Sequence, residues 1–103
     1  MTARERLPNR RRNESFEFFH IGLGFTATAG FFENGRPGEV FLSAHKIGSP
    51  IESIARDGAI LASLCLQAGV DIGTIRRALT RGHDGSAATA TGAALDAIAE
   101  SPR

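Results

Sequence analysis

The sequence predicts an α+β domain of order βββααα: a three-stranded antiparallel meander followed by three helices packed on one face of the sheet. Three observations carry that prediction. Residues 15–45 alternate apolar and polar positions with a period of two. Asn34-Gly35 stands between two β-rich runs, where a hairpin turn is expected. From Ser49 onward the apolar spacing changes to the three-to-four of a helix. At 103 residues the chain holds one domain and one modest core.

The first strand is expected over residues 15–21. Phe16, Phe18 and His20 form one side, and Glu17, Phe19 and Ile21 the other. Gly22-Leu23-Gly24 then permits a tight connection. The second strand, 25–32, sets Phe25, Ala27, Ala29 and Phe31 against Thr26, Thr28 and Phe32. Asn34-Gly35 suits a type I′ turn, which needs positive φ at both central residues. The third strand, 38–45, sets Val40, Leu42 and Ala44 against Phe41, Ser43 and His45.

Ser49-Pro50-Ile51-Glu52 reads as a helix start, with Ser49 as N-cap, Pro50 in the first turn and Glu52 completing a capping box. Ile51, Ile54, Gly58, Leu61, Cys65 and Ala68 form one stripe, widened by Ala55, Ile60 and Leu64, and a stripe this wide is expected on the sheet, or between the sheet and a partner. Gly69 is a helix stop. Asp71 caps a second helix over 72–81, with Ile72, Ile75 and Leu79 inward and Arg76, Arg77 and Arg81 outward. Gly82-His83-Asp84-Gly85 breaks it. Residues 86–99 are alanine-rich, with Leu95 and Ile98 as the larger apolar groups, so the third helix is expected to have little to bury. Helices on one face would leave some of Phe19, Phe32 and Phe41 uncovered. Self-association, as a homodimer through the sheet face or edge, or a protein partner is therefore expected.

The formal net charge of +1 is unevenly spread. Residues 1–14 hold five arginines against Glu5 and Glu14, leaving seven basic and nine acidic groups in the remainder. Residues 1–14 read as a basic, flexible arm, and residues 15–100 as the domain. Arg10, Arg11 and Arg12 are the candidate contacts to nucleic-acid phosphates. That function is not favoured, because the folded part is mildly acidic and lacks a recognition motif. No run of 18 apolar residues occurs, so no membrane span is expected. The N-terminus lacks the apolar stretch of a signal peptide, which makes the cytoplasm the expected compartment.

The single cysteine excludes an internal disulfide, a CxxC pair and a cysteine zinc site. Cys65 lies mid-helix among apolar residues and reads as a buried small hydrophobe. His20, His45 and His83 form no HxH, HxxxH or HExxH pattern; His20 and His45 share the sheet and could approach each other, but no third ligand is evident, so no metal is expected. No carboxylate pair is placed for acid–base work, and no residue is assigned as catalytic. The richest segment is 45–56, which runs from a strand end through Gly48 into a helix N-terminus. Lys46, Gly48, Ser49, Ser53 and Arg56 are candidates for binding a small anion there. A glycine turn with a capping box explains Gly48, Ser49, Pro50 and Glu52 without a ligand. Neither GxxxxGK[ST] nor GxGxxG is present.

From Ile21 to about Leu79 the chain resembles the TSCPD-type domain that closes adenosylcobalamin-dependent (class II) ribonucleotide reductases and also occurs in short stand-alone bacterial proteins. The likeness is carried by Gly22-Leu23-Gly24-Phe25-Thr26-Ala27-Thr28, then Asn34-Gly35-Arg36-Pro37-Gly38-Glu39-Val40-Phe41-Leu42, then Lys46-Ile47-Gly48-Ser49. Leu64-Cys65-Leu66-Gln67-Ala68-Gly69-Val70 and Asp71-Ile72-Gly73-Thr74-Ile75 complete it. The reductase-attached versions often carry a cysteine where this chain has Leu23, another after the Lys-x-Gly element, where it has Ser49, and more near the domain end, where it has none. The family's cysteine chemistry therefore does not carry over.

The resemblance implies a non-catalytic accessory or regulatory module in deoxyribonucleotide synthesis, acting through protein or small-anion and nucleotide binding. A reductase large subunit is the implied partner. Adenosylcobalamin belongs to the related full-length reductases, and no cofactor is expected in this chain. Two alternatives stand beside that reading: a nucleic-acid-associated protein using the arginine-rich arm, and a fragment of a ribonucleoside-diphosphate reductase without activity alone.

Overall fold

A computed structural model describes residues 3–101. Three strands, β1 (Asn13–His20), β2 (Leu23–Phe31) and β3 (Pro37–Ala44), form one antiparallel sheet in the order β1-β2-β3. Three helices follow: α1 (Pro50–Gln67), α2 (Ile72–Ala78) and α3 (Ala90–Glu100). The order βββααα is the one the sequence predicts. β1 starts two residues early because the ladder continues: the N–H of Phe31 donates to the carbonyl of Arg12 at 3.1 Å.

Both turns differ in detail from the expected ones. His20 pairs directly with Leu23, so the first turn is Ile21-Gly22 rather than Gly22-Leu23-Gly24. Ile21 has φ 52° and Gly22 φ 75°, which places a β-branched residue in left-handed backbone. In the second turn only Gly35 has positive φ, so a type I′ turn does not form. Instead the N–H of Gly35 donates to the carbonyl of Phe32 and the N–H of Phe32 to that of Arg36, both at 2.9 Å. A type I turn closed by a left-handed glycine gives this pattern.

The inner face of the sheet is as read. Phe25, Ala27, Ala29, Phe31, Val40, Leu42 and Ala44 are buried, with Phe16 and Phe18 packed against them. The helices cover this face. Phe19 and Phe41 on the outer face are exposed. Of the three phenylalanines, some of them expected to lie uncovered, Phe32 is the one that is buried. The Arg36 guanidinium lies 4.4 Å from its ring centroid, and the ring sits so close to Gly38 that a Cβ there would come within 2.7 Å of it.

α1 turns a different side to the sheet from the one predicted. Ala55, Ala59, Ala62 and Leu66 are buried, while Ile51, Ile54, Leu61 and Cys65 are exposed. The sheet already supplies large side chains from Phe25, Phe31 and Leu42. Alanines let the helix approach at normal packing density, where isoleucines would overfill the layer. Gly58 is the one member of the expected stripe with a packing duty. A Cβ there would come within 2.3 Å of the Thr91 hydroxyl, so the glycine sets the α1–α3 crossing.

The helix termini follow the sequence closely. Ser49 caps α1, and its C-terminus is a Schellman motif, with the Val70 N–H donating to the Cys65 carbonyl and the Gly69 N–H to that of Leu66. α2 is shorter than the expected 72–81 because the chain extends at Leu79 (ψ 154°) and Arg81 then pairs with Ala87. α3 is a core helix and not a marginal one. Ala90, Ala94, Leu95 and Ile98 are all buried, because small residues bring it close to the sheet.

Candidate functional site

The N-terminus of α1 gathers most of the candidate anion-binding residues, but the donors of Gly48 and Ser49 are already engaged. The Ser49 hydroxyl accepts from the Glu52 N–H at 3.2 Å and donates to the Lys46 carbonyl at 3.0 Å. The Gly48 N–H donates to the Glu52 carboxylate at 2.9 Å. The Ser53 N–H donates to the Ser49 carbonyl, and Arg56 lies 3.8 Å from Glu52. The Lys46 side chain points to solvent and joins this turn only through its backbone. The chain's own carboxylate therefore sits at the positive end of the helix, where an external anion would otherwise be drawn.

The three candidate arginines of the N-terminal segment are divided. Arg10 is exposed. Arg11 forms an ion pair with Glu39, which is buried, and also donates to the Pro8 carbonyl at 2.7 Å. A buried carboxylate needs such a partner. The Arg12 guanidinium lies 4.5 Å from the centroid of Phe31. Glu5 adds a 2.7 Å ion pair with Arg36, and its N–H donates to the Gln67 carbonyl.

His20 and His45 do not meet. His20 hydrogen-bonds the carbonyl of Ala88 through Nε2 at 3.2 Å. His45 lies over Gly24, with Nε2 3.0 Å from the Thr26 hydroxyl and 3.6 Å from Glu17. Among the described residues no three His, Cys, Asp or Glu side chains gather as a metal site. The strongest charged cluster joins α2 and α3. Asp96 accepts from Arg76 Nε at 2.7 Å and from both terminal nitrogens of Arg81 at 2.6 and 2.7 Å. The Arg81 hydrogen bonds, with help from Arg76, hold the Asp96 carboxyl at a pKa of about 2. Arg76 and Arg81 are thus half-buried ties between helices, not the outward arginines expected; Arg77 does face solvent.

The feature that stands out is the outer side of α1. Ile54 is 72% exposed, Leu61 64%, Ile60 49%, Ile51 45% and Leu64 40%. Cys65, expected to be buried, lies exposed in the same row. A helix apolar on all sides normally has something packed on all sides. The sequence carries that signal in the Ile and Leu residues that surround the alanines. A search for one inward stripe misses it.

Comparison with known proteins gives a consistent result. The chain is 35% identical over 72 residues to the vitamin B12-dependent ribonucleotide reductase of Bradyrhizobium diazoefficiens, covering 70% of this chain and 6% of the relative. It is 38% identical over 69 residues to that of Agrobacterium fabrum, covering 67% and 5%. For Rhodopirellula baltica the figures are 35% over 72 residues, 70% and 7%. No family model matches, and no solved structure matches. The chain spans less than a tenth of the length of these curated relatives. It is a βββααα domain related, over about 70% of its length, to a short segment of the vitamin B12-dependent ribonucleotide reductases.

Proposed function

We propose that this chain is a non-catalytic accessory module of ribonucleotide reduction, and that it works by binding protein. The observation that carries this reading is the apolar outer row of α1: Ile54, Leu61, Leu64 and Cys65 around the single charge of Asp57. Contiguous exposed apolar surface marks a contact site. The kinship with a reductase segment suggests a reductase large subunit as the partner.

The residues present favour contact over chemistry. Thiyl-radical reduction needs one cysteine for the radical and a pair for reduction, and this chain has only Cys65. The layer between sheet and helices leaves no room for a group the size of adenosylcobalamin. The space between sheet and helices is filled by Phe25, Ala27, Ala59, Leu66 and Leu95, each 1% exposed or less.

The test uses the full chain, immobilised, and a purified vitamin B12-dependent reductase. Retention of the reductase by the wild-type chain, lost in the Ile54→Ser/Leu61→Ser double variant, is the expected result. Failure of the wild-type chain to retain it removes the reading. So does ribonucleotide turnover by the chain alone with adenosylcobalamin and a dithiol.

A further inference from the structure

The segment that precedes β1 is folded onto the domain by several anchors. The N–H of Glu5 donates to the Gln67 carbonyl at 2.7 Å, and the Glu5 carboxylate pairs with Arg36 at 2.7 Å. Leu7 packs so close to Gly38 that a Cβ there would come within 2.9 Å of it. Further along, Arg11 is tied to Glu39 and to the Pro8 carbonyl. Beside these anchors lies a cavity of about 590 Å³, lined by three arginines, Arg4, Arg6 and Arg11, together with Glu39 and Gln67. Its volume is that of a small-molecule site. None of the outer-row residues of α1 takes part in it.

Three guanidiniums around one cavity repel one another unless something neutralises them. Glu39 neutralises Arg11. Arg4 and Arg6 have no ion pair or hydrogen bond among the described residues. The end of α1, where arginines often cap carbonyls, does not occupy them either. Leu64 and Cys65 accept from the N–H groups of Ala68 and Val70, Leu66 from Gly69 and the Arg36 side chain, and Gln67 from Glu5. The cavity therefore carries two uncompensated positive charges. We propose that it binds a small phosphate-bearing anion, with Arg4 and Arg6 as the charged contacts. Planar guanidinium forks match phosphate oxygens, and the charge on the ligand supplies what the chain lacks there. Glu5 stands between the two arginines, so its bonds to Arg36 and Gln67 hold both in place. A concave site takes a compact end group, whereas a nucleic-acid backbone calls for cations along an exposed stripe. Arg10, exposed and without an ion pair among the described residues, lies outside this cavity and serves as the internal control.

Isothermal titration calorimetry of the full chain with inorganic pyrophosphate at low ionic strength tests this, with sodium chloride of matched ionic strength as the blank and circular dichroism to check folding. The wild type should bind pyrophosphate at a single site. Arg4→Gln and Arg6→Gln, which change only exposed side chains, should each weaken binding at least about tenfold, the loss of one charge-assisted contact. Arg10→Gln should leave the affinity within about twofold of wild type. Glu5→Ala removes a negative charge from the segment yet should weaken binding, because it releases the arginines from their anchor. A wild type that fails to bind at about 10 mM pyrophosphate overturns the proposal. So does a loss in Arg10→Gln as large as that in Arg4→Gln, or tighter binding by Glu5→Ala, since both mark a basic tail without a built site. A single-stranded oligonucleotide held more tightly than pyrophosphate, with equal dependence on Arg10, overturns it as well and assigns the charge to nucleic acid.

Discussion

The two sides of α1 form a contrast. The side on the sheet is built from Ala55, Ala59, Ala62 and Leu66, and the side away from it carries Ile54, Leu61, Leu64 and Cys65. The larger side chains face away from the core. Inside, fit decides residue size: the phenylalanines of β2 already fill the layer, and close approach requires small residues. Outside, no such limit acts. Bulky apolar groups there expose surface to water with no return within the chain, and under the proposed function a partner supplies the return.

The inner side should give the largest effects. Leu66→Ala empties a fully buried site and should cost about 3 kcal/mol in denaturant unfolding. Ala59→Leu overfills the interface between helix and sheet and should cost about 2 kcal/mol by the same measurement. The inner layer also depends on α3, which Asp96 ties to α2. Asp96→Asn should cost about 1–2 kcal/mol after allowance for solvent screening. The sign of the pH effect follows from its lowered pKa. The stabilisation is complete above 3.8 and is lost as pH falls through about 2. Acid unfolding of Asp96→Asn should lack that component.

Ile21 lies outside both sides of α1 and sharpens the contrast. It is 81% exposed with φ 52°, so its conformation costs energy that no burial offsets. Ile21→Asn should raise stability by about 1 kcal/mol, read as a higher unfolding midpoint. The outer row of α1 should give the smallest effect on folding. Leu61→Ser should change stability by less than about 0.5 kcal/mol while abolishing retention of a reductase. A loss of 2 kcal/mol would mean that the row is core after all.

Much of this arrangement is legible in the sequence. The period-two runs assign the inner face of every strand correctly. Ser49, Glu52, Gly69 and Asp71 mark the helix ends, because capping is local chemistry. The orientation of α1 is not legible. A helix apolar all round offers two stripes, and only the volume already present on the sheet selects the alanine one. The same blindness to small residues hides the depth of α3, whose Ala94 buries as completely as its Leu95. At the candidate sites, Ser49 and Glu52 are readable as a cap. The commitment of Arg11 to Glu39 is not, because the two lie 28 residues apart. The same holds for the hydrogen bond from the Val40 N–H to the Ser63 hydroxyl, 23 residues away.

The central claim is that the outer row of α1 is a contact surface and not a misplaced core. Cys65 lies in that row and is the chain's only cysteine, so it reports on the row without any substitution. The direct measurement is its alkylation rate by iodoacetamide in the free, folded chain and in the presence of saturating reductase. Fast labelling of the free chain, slowed at least about tenfold by the partner, is the predicted result. Equal rates in the two states, or a thiol that reacts only after denaturation, would contradict the account.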